Sequence, residues 1–417
     1  MRKITILFIT GFLLAIALVI LFSFQMKSSH NPIKVGILHS FTGTMAISET
    51  SVADATLLAI EEINQKGGII GRKIQPIVVD GKSDWDRFAK EAERLITEEK
   101  VVTIFGCWTS ACRKSVKPIF EKYNHLLIYP IQYEGLEQSP NIVYTGAAPN
   151  QQIIPAVKWC FDNLGKKFFL VGSDYVFPRT ANAIIKDQVK ALKGEIVGEE
   201  YILLGSKDVE DIVKKIINAE PDVILNTING DSNIAFFTAL RNSGITPDKI
   251  PTISFSIAEE EIRKLNAEDM IGDYAAWNYF QSIDNLENKK FVKRFQKKYG
   301  KNRVTDDPIE AAYFGVYLWA QAVSEAEEND VNTIREFIVD QSFNAPGGVV
   351  YVDAENQHTW KTVRIGKIQA NGQFEIVWTS DKPIRPVPYP ISRSKLDWDK
   401  FLDNLYRRWQ NNWANPN

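Results

Sequence analysis

The chain has 417 residues but only 3 cysteines, 4 histidines and 4 methionines, and no large excess of charge of either sign. Each shortage excludes something. The histidines, His30, His39, His125 and His358, are scattered along the chain and too few to suggest a hydrolytic metal cluster. A formal net charge of −2 gives the chain as a whole no pull toward nucleic acid or anionic lipid. Basic residues are dispersed, and no nucleic-acid-binding signature is present. The sequence also lacks Gly-x-Ser-x-Gly, a phosphate-binding Gly-x4-Gly-Lys-Ser/Thr loop and His-Glu-x-x-His. Asp306 and Asp307 are adjacent, a spacing that does not aim both carboxylates at one substrate, and Glu259–Glu261 reads as the polar opening of a helix. The chain therefore reads as a non-enzyme with no cofactor.

Cys107 and Cys112 fall at an expected strand–helix junction, and Cys160 stands alone. Buried thiols and a Cys107–Cys112 disulfide are both open on sequence alone. The amino terminus is distinctive. Arg2 and Lys3 precede an uncharged run, residues 4–24, that is 21 residues long. A secretory signal has a shorter apolar core and a small-residue cleavage site, whereas about 20 apolar residues span a bilayer. No Ala-x-Ala follows the run, and no Cys near its end could carry a lipid. A cleaved signal and an uncleaved anchor both remain open, and either exports the chain from about Ser28 onward. The location is then periplasmic or otherwise extracytoplasmic, with residues 4–24 as an inner-membrane anchor in the second case.

At 45% apolar and 24% charged residues the remainder is ordinary globular sequence, long enough for two cores. Residues 33–38 (IKVGIL), 73–80 (KIQPIVVD) and 101–106 (VVTIFG) read as strands separated by helical patterns. The same alternation restarts at residue 167 and runs through PDVILNTINGDSN, residues 221–233. Two similar α/β lobes with parallel sheets follow, each lining one wall of a cleft. After NAPGG the pattern turns antiparallel, with Asn371–Gly372 as a two-residue hairpin signal. Trp398, Phe401, Leu402, Leu405, Tyr406, Trp409 and Trp413 fall near helical spacing and predict a terminal helix packed on the body.

Between Gly106 and Asn182 three strand-like runs end in polar and aromatic residues: VVTIFGCWTS, HLLIYPIQYEG and KFFLVGSDYVFPRTAN. Ligands of open parallel sheets lie beyond the carboxyl ends of strands, so these ends converge on one cleft. Trp108, Ser110, Tyr129, Gln132, Tyr133, Tyr175 and Phe177 form an aromatic wall with hydroxyl and amide groups. That wall suits a small, flat, uncharged polar molecule. Ser110 offers a hydroxyl or caps the helix that follows it. Asn229 and Asp231 could accept ligand N–H protons or simply form a turn. Asp307 is a further candidate, or merely opens the helix at IEAAYF.

Over these residues the chain resembles the urea-binding component of bacterial urea ABC transporters, within the type I periplasmic-binding-protein superfamily. The segments that carry the resemblance include GCWTSACRKSVKPIFEK, YPIQYEG, GSDYVFPRTAN, NTINGDSN and RVTDDPIEAAYFGVYLW. It is also similar to the amide-sensing regulator of amidase operons and, more distantly, to branched-chain amino-acid binding proteins. The resemblance implies two Rossmann-like lobes joined by three crossovers and closing on urea or a short amide. Residues 1–32 would be signal or anchor plus linker. Residues 33–153 and 278–343 would form the first lobe, 154–277 and 344–380 the second, and 381–417 a C-terminal extension. The implied partners are ABC permease subunits. A membrane-tethered sensor working with a signalling kinase and a branched-chain amino-acid carrier are the alternatives. Two departures stand out: Phe177 occupies a position that is Tyr in much of the family, and the lipid-bearing Cys of many transporter-linked members is missing.

Overall fold

The computed structural model describes residues 31–264 and 267–416. The apolar run 4–24, and with it the choice between signal and anchor, lies outside them. Among the described residues no helix is long and apolar enough to cross a membrane.

Strand and helix alternate from the first described segment. The chain runs β1 (Ile33–His39), α1 (Ala46–Gln65), β2 (Ile74–Asp80), α2 (Trp85–Thr97), β3 (Ile104–Gly106), α3 (Ser110–Lys122), β4 (Leu127–Tyr129) and β5 (Ile142–Tyr144). The strands pair in the order β2-β1-β3-β4-β5, all parallel. A parallel sheet covered on both faces needs near-continuous apolar strands, and β1, IKVGILH, supplies them. The last residue of β3, Gly106, has to be glycine, since a Cβ there would sit 2.3 Å from the Leu38 carbonyl oxygen.

The second lobe repeats the plan with α4 (Ile153–Asn163), β6 (Lys167–Ser173), α5 (Val176–Leu192), β7 (Glu195–Ile202), α6 (Glu210–Ala219), β8 (Val223–Thr227), α7 (Ser232–Asn242), β9 (Thr252–Ser254), α8 (Glu259–Lys264) and β10 (Tyr274–Trp277). Successive strand residues point to opposite faces. Accordingly Phe168 and Leu170 join one core, with α4 and α5, while Phe169 and Val171 join another, with α6 and α7.

The chain then returns to the first lobe through α9 (Leu286–Tyr299), α10 (Asp307–Ala326) and α11 (Val331–Ile338). A small antiparallel sheet follows, β11 (Ser342–Ala345), β12 (Gly348–Val352) and β13 (Thr359–Trp360). The expected return to the second lobe at residue 344 falls later. Ala345, Val350 and Val352 pack into the first-lobe core, and Tyr144 N donates to Gln357 O at 2.9 Å. Alternation alone marks these residues as strands but does not say which core receives their buried side chains.

Only β14 (Arg364–Ile368) and β15 (Phe374–Thr379) join the second sheet, whose order is β15-β14-β10-β9-β8-β6-β7. Their hairpin has a three-residue turn, not the expected two: Gln369 N donates to Gln373 O at 2.9 Å, with Gly372 at φ 74°. The last helix, α12 (Lys395–Arg408), buries Trp398, Leu402 and Leu405 against the second lobe.

The crossovers are tied together by one side chain. Asn278 Nδ2 donates to Gln151 O in the first crossover at 3.0 Å and to Thr362 O in the third at 3.1 Å.

Candidate functional site

The carboxyl ends of β3 and β4 set the first-lobe wall. Cys107 sits at φ 63° and is disulfide-bonded to Cys112, which pins the turn that presents Trp108. Thr109 caps α3, its Oγ1 accepting from Cys112 N at 3.1 Å. Ser110 is thereby free of the capping role. Its hydroxyl donates to Glu134 and accepts from Arg113 Nη1 at 3.0 Å.

Behind this wall lies a buried ionic group that sequence reasoning missed. Arg113 Nη2 is 3.1 Å from Glu134 Oε1, and its Nε donates to Glu137 Oε1 at 2.8 Å. Lys114 Nζ reaches Glu137 Oε2 at 3.1 Å. Burial alone would lower the Arg113 pKa, but the facing Glu137 and Glu134 hold it well above the ordinary guanidinium value. Burial pushes the Glu137 carboxyl up, yet Arg113 and Lys114 hold it well below the usual carboxylate range. Both lie close in sequence to expected wall residues: Arg113 is three residues after Ser110, and Glu134 directly follows Tyr133.

Tyr129 donates through its hydroxyl to Trp108 O at 2.6 Å, locking β4 to the β3 turn. Tyr133 points away from the cleft. Its hydroxyl meets His358 Nε2, and its ring stacks with Tyr144 and His358. Burial holds the His358 pKa down at about 4, so the ring is neutral, and its Nδ1 proton goes to Asn356 O at 2.6 Å. Nε2 then accepts from Tyr133.

Gln132 reaches across to the second lobe, its Nε2 donating to Phe255 O at 2.9 Å. Its Oε1 is buried with no partner among the described residues. Tyr175 and Phe177, at the start of α5, are buried in one cluster with first-lobe Ala111 and Leu136. Burial holds the Tyr175 hydroxyl well above its ordinary pKa, with Tyr129 and Glu134 adding to the effect across the cleft. Trp108, Ser110, Tyr129 and Gln132 thus lie just beyond the carboxyl ends of β3 and β4 or within them, and Tyr175 and Phe177 just beyond that of β6.

The other expected residues each have partners within the protein. Asn229 is held internally, its N donating to Ser173 Oγ at 3.0 Å and its Nδ2 to Thr227 O at 3.2 Å. Asp231 accepts from first-lobe Thr44 and so joins the lobes at the rim. Asp307 lies at the crossovers, where it accepts from Asn278 N at 3.0 Å and pairs with Lys361 Nζ at 3.2 Å. The helix-opening role belongs to its neighbour, Asp306, whose Oδ1 accepts from Ile309 N at 3.0 Å. Among the described residues no group of three or more His, Cys, Asp or Glu side chains is arranged to hold a metal ion.

Two parallel lobes with such a cleft define a class, and comparison with known proteins agrees. Residues 33–395 match the family model described as periplasmic binding protein domain. The chain belongs to that family and has its type I fold.

Among curated proteins it is 21% identical over 342 residues to the Leu/Ile/Val-binding protein homolog 6 of Brucella melitensis, covering 81% of this chain and 87% of that one. A 117-residue stretch is 33% identical to a Geobacillus stearothermophilus protein named limonene hydroxylase; the match spans 28% of this chain and only 21% of that protein. Among solved structures, an ABC-transporter solute-binding protein of Rhodopseudomonas palustris BisB5, in complex with 3,4-dihydroxybenzoic acid, superposes with TM-score 0.77. Its identity is 21%, over 85% of this chain and 99% of that one. A branched-chain amino-acid transporter substrate-binding protein of Streptococcus pneumoniae, in complex with isoleucine, gives TM-score 0.73 at 22% identity, over 85% and 100%.

Proposed function

We propose that the protein is the extracytoplasmic solute-binding component of an ABC transporter, capturing urea or a short amide between its lobes for delivery to permease subunits. The neutralised state of Arg113 carries this reading. A carboxylate ligand, such as the benzoate or amino acid in the related structures, needs a cation or several donors that the protein has not already used. Here the first-lobe guanidinium is bound by Glu134 and Glu137.

What the wall offers instead is acceptors. Each Glu134 oxygen takes one protein donor, from Ser110 or Arg113, and a carboxylate oxygen has room for a second. Gln132 Oε1 is a further acceptor with no protein partner among the described residues. Urea presents four N–H donors in one plane, and an amide presents two. The aromatic rings of Trp108, Tyr129, Tyr175 and Phe177 suit the faces of such a molecule. Nothing in this arrangement provides an activated nucleophile, so the ligand is bound and released unchanged.

Isothermal calorimetry tests the proposal. Saturable heat is expected with urea or acetamide, and none with leucine, isoleucine or 4-hydroxybenzoate. Binding of a carboxylate with no response to urea or any short amide would overturn it, as would sustained ammonia release from urea.

A further inference from the structure

The geometry points to the outer face of α9 as a docking surface for the anionic phospholipid surface of the membrane. The net charge of the whole chain hides a local concentration. Residues 286–301 hold seven Lys or Arg and one acid, Glu287.

At 100° per residue, Phe291 and Phe295 turn inward, where both are buried, and Leu286, Lys290, Lys293 and Lys297 share the opposite face. Leu286 is 65% exposed. Not all of the cations are available: Arg294 and Lys298 pair with Glu62 and Glu61 of α1, and Lys289 and Lys290 with Asp284 and Glu287. Lys293, Lys297 and Lys301 make no ion pair or side-chain hydrogen bond among the described residues. They line one side of an open groove of about 700 Å³. Unpaired lysines along a helix that begins with an exposed leucine are suited to phosphate headgroups at an interface, with the leucine entering the acyl boundary.

Chain connectivity favours a membrane as the occupant over an acidic protein segment. The apolar run ends at residue 24, and the eight residues 25–32 lead directly into β1 of the same lobe that carries α9. Eight residues reach at most about 28 Å. Whenever the run resides in a bilayer, it is therefore this lobe that is held beside the lipid surface.

Lysine acylation followed by mass spectrometry tests the inference. The full chain is reconstituted into vesicles of phosphatidylcholine alone, or of phosphatidylcholine and phosphatidylglycerol in equal parts, with Lys193 of the second lobe as reference. In the anionic vesicles at low salt, Lys293, Lys297 and Lys301 should react about fivefold more slowly relative to Lys193. High salt should restore their rates, and neutral vesicles should leave them unchanged. The exposed-face variant Lys293→Glu/Lys297→Glu should leave Lys301 equally reactive in both vesicle types. Equal rates for the wild-type lysines in both vesicle types would overturn the inference. So would protection that appears only when permease subunits are present, which would assign the face to a protein partner.

Discussion

Ser48 of the first lobe donates its hydroxyl to Glu261 Oε1 of the second at 2.6 Å, with both side chains buried. The contact is one of a row between α1 and the edge of the second lobe. Ser51 Oγ donates to Glu260 Oε1 at 2.6 Å, Lys264 Nζ to Ile47 O at 2.5 Å, and Thr44 to Asp231. The lobes are therefore held shut by side-chain contacts from one lobe to the other. Their strength sets how much of the ligand's binding energy closure consumes or returns.

Removing donors from this row should weaken ligand capture without altering the cleft walls. In Thr44→Ala/Ser48→Ala, the buried Glu261 and the half-buried Asp231 each lose a partner in the closed form only. A buried acceptor left unmatched costs about 1–3 kcal/mol. The apparent affinity for urea or acetamide should fall by about tenfold or more, read by calorimetry, while the ligand-free melting temperature changes little. An unchanged affinity would mean that the row closes without contributing to binding.

Closure should also depend on pH. Burial pushes the Glu261 carboxyl up to about 7, with Glu260 adding to it, and pushes Glu259 up to about 8. Asp306, beside them, is raised by burial and then by Glu261 and Glu259. Glu261 meets Ser48 across the lobe boundary, so if opening returns its carboxyl to solvent, closing the lobes takes up a proton there. The stabilisation is fully present below the ordinary carboxylate range and is lost as pH rises through about 7 to 8. Ligand affinity should therefore decline from about pH 6 to pH 9. Glu261→Gln, whose amide can donate to Ser48 and accept from Ala258 N, should flatten that decline. Calorimetric titrations across the range in both proteins would check it, and a flat wild-type profile would remove the linkage.

Arg113 is the residue on which the first-lobe wall depends. Its guanidinium lies 4.9 Å from the Tyr129 ring centre and 4.4 Å from that of Tyr133, besides binding Glu134 and Glu137. Arg113→Met leaves two buried carboxylates with one remaining cation, Lys114. Breaking a buried pair in this way costs about 3–5 kcal/mol. Urea-denaturant curves are unsuitable if urea is the ligand, so guanidinium chloride unfolding should show a loss of this size. Arg113→Lys should recover part of it, since an ammonium cannot serve both carboxylates in the same fork geometry.

Residues of the fold and of the site were legible in the sequence to different degrees, for physical reasons. Alternating runs such as IKVGIL and KFFLVGS announce parallel strands because both faces are covered. The positions of Trp108, Tyr175 and Phe177 just past strand ends can be read from the apolar runs that precede them. The roles of Tyr133 and Asp307 cannot, because a side chain's direction depends on partners far away in sequence. Tyr133 turns to His358, and Asp307 to Lys361. Glu134 was passed over for a related reason: a carboxylate beside a turn reads as solvated unless the arginine facing it is seen. Strand pattern likewise carries no information about which core receives Ala345, Val350 and Val352.

The C-terminal tail supplies a last expectation. Beyond α12 it runs alongside the start of α5, where Val176 N donates to Trp413 O at 2.9 Å and Asn415 N to Asp174 O at 3.0 Å. Ala414 pairs with Tyr175 in an antiparallel bridge. The Trp413 ring also lies 4.9 Å from Lys114 Nζ of the first lobe. The tail thus holds the turn that presents Tyr175 and Phe177 while touching the opposite lobe. Truncation after Gln410 strips Val176 N of its acceptor and uncovers Tyr175, with α12 and the buried Trp409 left in place. A lost hydrogen bond together with exposed aromatic area costs about 2–4 kcal/mol. Expected are a melting temperature lower by several degrees and faster ligand release in stopped-flow tryptophan fluorescence. Trp413→Ala alone, which keeps the backbone bridge, should reproduce only the part due to the Lys114 and Tyr406 contacts. If truncation leaves both the melting temperature and the release rate unchanged, the tail is a passive cover and the position of Tyr175 is set by the second-lobe core alone.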